Sequence, residues 1–430
     1  MSALGIMIIV MVVLLLIGVP IGVALAFGML TMIANSSVMT LPYMAQSLYS
    51  GLDNFTLISL PFFMLAGSIM DVGGLSKRLV RTANSLIGNI TGNLGMVAIL
   101  ASMFFGAVSG SSMATVAAIG GVMLPEMVRA GYDKKYATAL VAMAGGLGFI
   151  VPPSTPMVVY GAACNVSIGS MFMGGFGPAI VTGGLLMIVN YVYCKKAGYT
   201  GNGQSVSLKN VLAALKDSIW ALLMPLIILG GIYSGYFTAT EASVVACTYG
   251  IIVGMLVYKE LTFKHVWTIF KGNIAFMGGL LFTLAPVAAI GALFAMMKVP
   301  QLITDFFFSI TDNTLVIKFF LFLLMLAIGM VMQSTPAILL FAPILLPIAK
   351  AAGINPIHFG VFITVALSLG VVTPPVAMNL FVAQSMTGIN SIEIVRKGMS
   401  FLVALIIATL IVLYVPEITL FLPRLLKMPI

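Results

Sequence analysis

At 430 residues, 61% hydrophobic and 7% charged, with a mean hydropathy of +1.18, the chain has the composition of a bilayer-embedded protein and no room for a soluble catalytic domain. Its net charge of +9 points to the positive-inside pattern rather than to nucleic acid, because the basic residues sit in short loops between apolar stretches. Cys164, Cys194 and Cys247 are scattered through or beside apolar segments, with neither a disulfide framework nor metal-ligand spacing.

Residues 4–34 read as one long span with Pro20 inside it. The stretch lacks the basic start and short apolar core of a cleaved signal, so it is expected to be retained. Residues 55–70 form the next span. A loop carrying Lys77, Arg78 and Arg81 and another carrying Arg129, Lys134 and Lys135 are both expected in the cytoplasm, so the segment between them starts and ends on one side. Its arms, 94–108 and 113–128, hold about 15 residues each, or about 22 Å of helix against about 30 Å of hydrocarbon. Between them lies the polar tip Ser109-Gly110-Ser111-Ser112. A re-entrant helical hairpin over 94–128 is predicted, tolerated at that depth only where protein or a water-filled cavity covers it.

Residues 136–163 cross outward with a break in the middle, and 170–194 return, ending a first repeat over 1–194. Residues 195–217, with Lys195, Lys196, Lys209 and Lys216, read as a cytoplasmic linker to a second repeat over 218–430. There, 218–234, 241–258 and 273–297 are spans, with Lys259, Lys264 and Lys271 in the cytoplasmic loop. A second hairpin, 316–349, carries the tip Gln333-Ser334-Thr335-Pro336; a second broken helix, 358–385, leads to Arg396 and Lys397, and 401–421 ends outside. Arg424 and Lys427 at that end run against the charge rule. Five crossings separate the hairpins, so the two halves are expected to be inverted in the membrane.

The halves also match residue by residue. LGFIVPP at 147–153 returns as LGVVTPP at 369–375, a displacement of 222; without a gap, LPEMVRAGYD at 124–133 falls on LPIAKAAGIN at 346–355. Pro152, Pro153 and Pro156, and Pro374 and Pro375 in the second copy, remove amide donors and push the preceding residues out of the α region. The first half-helix is expected to end near residues 148–150, with Thr155 capping the next and Pro156 at its first position. Each break leaves carbonyls with partial negative charge and amides with partial positive charge. Two cation clusters near the membrane centre are therefore predicted: Ser109, Ser111, Gly148, Val151 and Pro153 in one half, Val331, Gln333, Gly370, Thr373 and Pro375 in the other. Ser112, Ser154, Thr155, Ser334, Thr335 and Asn379 supply amides and hydroxyls suited to an anion between them. The competing reading is that these Gly and Ser merely permit close helix packing and the Pro are tolerated kinks.

Glu241 is the best candidate for a charged group within a span, but Thr238-Ala239-Thr240-Glu241 reads as a capping box. His265 and His358 are expected in or near loops, solvated, with no metal site. Phosphate-loop, Ser-His-Asp and H-E-x-x-H patterns are all absent, so no ATPase or hydrolase is predicted and energy must come from an ion gradient or a partner.

These residues resemble one family, the large membrane subunit of tripartite ATP-independent periplasmic (TRAP) transporters. The likeness covers essentially the whole chain and is carried by residues 61–79 (PFFMLAGSIMDVGGLSKRL), 105–127 (FGAVSGSSMATVAAIGGVMLPEM), 148–154 (GFIVPPS), 235–246 (GYFTATEASVVA) and 370–382 (GVVTPPVAMNLFV). Departures such as Ala239, where a Pro is usual, touch neither cation cluster. The resemblance implies an all-α, elevator-type sodium-coupled importer of organic acids in a bacterial inner membrane, with sodium as coupling ion and no other cofactor. It also implies two partners, a small four-helix membrane subunit and a soluble periplasmic substrate-binding protein, without which this chain is expected to be incomplete. Substrates of the family are carboxylates, including C4-dicarboxylates and sialic acid, and the likeness leans toward the sialic acid members. A self-sufficient divalent-anion:sodium symporter, and a passive channel or assembly scaffold, are the alternatives.

Overall fold

The computed structural model describes residues 3–199 and 206–430, and every regular element among them is helical. The chain opens with α1 (Ala3–Leu16) and α2 (Ile21–Asn35) instead of one span over 4–34. Gly18 takes a φ of 85° and Pro20 has no amide hydrogen to carry a helix onward, so the chain reverses there. Gly28 of α2 then lies against Met7 and Met11 of α1. Helix α3 (Leu41–Leu52) is capped by Thr40, and a 3-10 turn (Phe55–Ile58) leads into α4 (Ser59–Val72). The basic stretch expected as a loop is itself a helix, α5 (Leu75–Ile87): Leu75, Leu79 and Ala83 recur every four residues and are buried, while Lys77 and Arg81 face outward.

The first hairpin is α6 (Asn93–Ser109) and α7 (Ser112–Arg129). The first broken helix comprises α8 (Lys134–Ala144), α9 (Leu147–Ile150) and α10 (Thr155–Cys164), and α11 (Ile168–Ala197) closes the first half. Helix α12 (Leu208–Tyr233) begins earlier than expected, which puts Lys209 and Lys216 on a helix; residues 200–205 of the expected linker lie outside the described residues. Next come α13 (Ala239–Ile252), a π turn (Val253–Val257), α14 (Phe263–Met296), which absorbs Lys264 and Lys271, and α15 (Val299–Ile310). The second hairpin is α16 (Thr314–Val331) and α17 (Ser334–Ala351); the second broken helix is α18 (Pro356–Gly370) and α19 (Met378–Thr387). The expected final span is divided: α20 (Ser391–Lys397) meets α21 (Met399–Tyr414) at 72°, and α22 (Glu417–Leu425) follows Pro416. Among the described residues eight helices are long and apolar enough to cross a membrane, or nine counting the bent pair as one span. This is a multi-pass membrane protein.

Moving the first half by 222 residues aligns the helices as well as the motifs. Residues 41–72 land on 263–294, inside α14; α5 lands on 297–309, beside α15; the first hairpin lands on 315–351, the second hairpin. Its arms have 17 and 18 residues, longer than the sequence suggested, so length alone does not stop them crossing. Their tips are covered by protein, as a re-entrant hairpin requires: Ser109, Ser112, Ser334 and Thr335 are all buried. Each hairpin leans on the other half, α7 on α19 and α17 on α10, while α6 meets α9 and α16 meets α18 within a half.

Polar clasps finish the packing. Lys397 pairs with Asp133 at 2.8 Å and Lys135 with Glu393 at 2.7 Å, tying the loop before α8 to α20. His358 is not solvated as expected but 1% exposed, because its ring bridges Thr419 Oγ1 and the Leu413 carbonyl, both at 3.1 Å. The capping box of Thr238 and Glu241 is present as read. Arg78 of α5 joins the halves: its guanidinium donates to Glu260 at 2.7 Å and to the Gly74 carbonyl at 2.8 Å, and lies 3.7 Å over the Tyr258 ring. Arg78→Ala is expected to lower the unfolding midpoint in detergent, through loss of about 1.5–3 kcal/mol for a charge-assisted bond. Arg81→Ala, whose side chain is 72% exposed, should cost under about 0.5 kcal/mol. Equal midpoints for the two variants would refute the cage around Arg78.

Candidate functional site

Helix α6 ends because Gly110 turns left-handed (φ 58°), its amide donating to the Gly106 carbonyl at 2.8 Å. Ser111 caps α7 by accepting from the Ala114 amide. Opposite this tip the first broken helix interrupts itself at Gly145-Gly146 and again at Val151–Pro153, which holds a cis Pro152-Pro153 bond. Tip and break touch through backbone. A Cβ on Gly106 would come within 2.9 Å of the Gly148 Cα; one on Gly148 would come within 2.4 Å of Thr115 Oγ1 and 2.6 Å of the Ser111 carbonyl. The Pro153 carbonyl faces Gly110, and the Thr155 amide donates to the Gly110 carbonyl at 3.3 Å.

Ser109, Ser111, Gly148 and Pro153 are thus brought together, and Val151 lies in the extended piece between the last two. The structure adds Thr115, which the sequence reading passed over. Its hydroxyl donates to the Ser111 carbonyl at 2.7 Å and lies 3.4 Å from Ser109 Oγ. The available signal was spacing: Thr115 stands one helical turn after Ser111 on the same face. The cap position of α10 is held by Ser154 rather than Thr155, and the Ser154 hydroxyl donates back to the Phe149 carbonyl instead of accepting from an amide of its own helix.

The second half repeats the plan with different atoms. Gly370, the last residue of α18, approaches Gly329 of α16 so closely that a Cβ there would lie 2.6 Å from its backbone. The Val376 amide donates to the Met330 carbonyl at 3.0 Å, as Thr155 does to Gly110. Thr373 is committed locally, its hydroxyl to the Leu369 carbonyl at 2.8 Å and its amide to Gly370 at 3.0 Å. Val331 ends α16; Gln333 precedes α17 without capping it, so its amide side chain is not used there. Both line a cleft with Val376, Met378, Ile21 of α2 and Thr283 of α14. Pro375 is exposed.

A further cleft receives both tips. Gly110, Ser111 and Thr155 line it from one side and Gln333, Ser334 and Thr335 from the other, with Phe149, Leu60, Met64 and Leu280 completing apolar walls. A mostly apolar cleft with a few convergent polar groups is the form ligand sites take. Thr155 Oγ1 is buried there with no hydrogen-bond partner in the described structure, a donor left for a ligand. Ser334 and Thr335 are the first residues of α17, whose free amides favour an anion. Ser112 and Asn379 do not line the cleft. They are fully buried and bonded to each other at 2.7 Å, and Asn379 also donates to the Ala142 carbonyl at 3.1 Å, so both side chains are engaged away from the cleft. Ser154 is likewise spent on Phe149. Among the described residues no group of three His, Cys, Asp or Glu exists, and the donors at the tips are neutral oxygens. Neutral carbonyls and hydroxyls suit a hard cation.

Paired hairpin tips set against paired broken helices, in an all-helical membrane body, define a repeat-built secondary transporter core. More narrowly, the chain belongs to the family described as tripartite ATP-independent periplasmic transporter, DctM component, whose model matches residues 8–418. It is 37% identical to the sialic acid TRAP transporter large permease protein SiaM of Vibrio cholerae, over 96% of each chain. It is 37% identical to the C4-dicarboxylate large permease protein DctM of Pseudomonas aeruginosa, over 90% of each. It is 38% identical to the isethionate permease protein DctMQ of Oleidesulfovibrio alaskensis, over 95% of this chain but only 64% of that longer relative. The solved YdaH transporter of Alcanivorax borkumensis shares the fold, with a TM-score of 0.64 at 14% identity, over 88% of this chain and 89% of that one.

Close backbone approach makes the two glycines testable. Gly148→Ala and Gly370→Ala should each lower the thermal midpoint, through a loss of about 1–3 kcal/mol of stability to overpacking. Gly184→Ala, where an added Cβ meets nothing within 4 Å, should leave the midpoint unchanged or raise it, through a gain of up to about 1 kcal/mol. If Gly148→Ala is as stable as Gly184→Ala, tip and break are not in contact.

Proposed function

We propose that this TRAP-family large permease imports an organic acid anion, of sialic acid or C4-dicarboxylate type, by sodium-coupled symport. It works with a small membrane subunit and a periplasmic substrate-binding protein in the inner membrane of a bacterium. The observation that carries the reading is the meeting of both tips at one mostly apolar cleft, each tip backed by a helix break. Relatives named for sialic acid and C4-dicarboxylate support an anionic carboxylate as cargo. In this reading sodium sits at the tip–break contacts, around Ser109, Ser111 and Gly148 on one side and Val331, Gln333 and Gly370 on the other. Its charge offsets that of a carboxylate held by Thr155, Ser334 and Thr335. The two halves are inverted in the bilayer, and the body bearing both hairpins carries cleft and ions together from one face to the other, the elevator movement. Substrate without sodium leaves an anion in a low-dielectric setting, which opposes the crossing and enforces coupling.

The test is uptake into proteoliposomes holding this chain with its small subunit, supplied with loaded binding protein. Import should require an inward sodium gradient and stop when that gradient is collapsed. Gln333→Ala should raise the half-saturating sodium concentration about tenfold, equal to about 1.4 kcal/mol. Thr155→Val, which keeps the shape and removes the unpartnered hydroxyl, should raise KM for the acid while leaving the sodium dependence in place. Uptake that is indifferent to sodium would sink the proposal, and uptake without any binding protein would favour a self-sufficient symporter.

A further inference from the structure

We infer that Asn379 is a positioning residue that links the two cation clusters, so that sodium at one raises affinity at the other. The inference rests on the sodium reading above and adds to it a route of communication. Asn379 stands in the first turn of α19, just after the second break, and is fully buried. Its backbone amide donates to the Val371 carbonyl at 3.0 Å, inside its own break and one residue beyond Gly370. Its side chain reaches into the other half. There Oδ1 accepts from the Ser112 hydroxyl at 2.7 Å, next to Ser111 at the first tip, and Nδ2 donates to the Ala142 carbonyl at 3.1 Å. That carbonyl belongs to the last turn of α8, where the Gly145-Gly146 interruption ends the helix and would otherwise leave it short of a partner.

One residue therefore satisfies atoms of both breaks and of the first tip. It packs against the first interruption, where a Cβ on Gly145 would lie 3.2 Å from Nδ2. A cation that draws the Ser109–Ser111 oxygens inward shifts Ser112 with them, and through the Ser112–Asn379 bond it bears on Val371. The link is made once. Displacing Asn379 by 222 residues gives Met157, which has no amide to offer, so the symmetric bond back from α10 does not exist. Binding energies at two sites joined in this way must be reciprocal.

Thermal stabilisation of the purified full-length chain by sodium, titrated at constant ionic strength with choline, reads the coupling without transport. The parent is expected to respond with a Hill coefficient of about 1.5 or more, below the ceiling of 2 that two sites allow. Ser112→Ala and Asn379→Ala should still be stabilised by sodium, but with a Hill coefficient of about 1. Ser112→Ala leaves the Asn379 bond to Ala142 in place, so it carries the test if Asn379→Ala does not fold. A purely structural role lowers every midpoint equally and leaves the steepness of the sodium response alone. Variants as steep as the parent, or a parent already at a coefficient of 1, overturn the link while leaving sodium binding intact. A parent that sodium does not stabilise at all overturns the sodium reading and the link together.

Discussion

An unpaired peptide group in hydrocarbon costs several kilocalories, and this constraint governs the centre of the molecule. Two helices are interrupted by proline where lipid could not satisfy them. Each interruption survives because a hairpin tip from the same half is pressed onto it, at Gly106–Gly148 and at Gly329–Gly370. Glycine is required at these contacts because only a residue without Cβ lets two backbones come so near. The cross-bonds from Thr155 to Gly110 and from Val376 to Met330 complete the seal. The Thr155 hydroxyl, left unpaired, faces the cleft.

The halves share a plan but differ in chemistry. The first tip carries the hydroxyls of Ser109, Ser111 and Thr115, with Thr115 Oγ1 and the Ser111 carbonyl against Gly148, whereas their counterparts 222 residues on are Val331, Gln333 and Ala337. The second contact is accordingly built from main-chain atoms, with Thr373 spent on its own helix. Packing crosses between halves as well, α7 on α19 and α17 on α10, so neither hairpin folds against its own repeat alone. Asn379 is the polar expression of that crossing.

Outside the centre, charge does the joining. Arg78 holds the amphipathic helix before the first hairpin to the loop after α13, and the Asp133–Lys397 and Lys135–Glu393 pairs tie the start of α8 to α20. The last two pairs are partly exposed and contribute less each than the Arg78 contact.

Hydropathy and the paired Pro motifs made the membrane class, the repeat, both hairpins and both breaks legible in the sequence, because a helix that loses amide donors must stop. Ser109, Ser111 and Gly148 lie together where the first tip touches its break, a contact that only the folded chain makes. Where the reading failed, the answer lay in contacts between distant segments. Residues 4–34 look like one span until α1 and α2 pack together, and the stretch around Arg78 looks like a loop until its buried side meets a partner. His358 reads as solvated until Thr419 and Leu413 enclose it, and the side chains of Ser112, Ser154 and Asn379 read as free until their hydrogen bonds are found already made. Composition and proline placement, being local, determined where the chain is apolar and where its helices break. Which polar atoms stay free was decided only by tertiary structure, since a hydrogen bond between residues 267 positions apart leaves no trace in either one's neighbourhood.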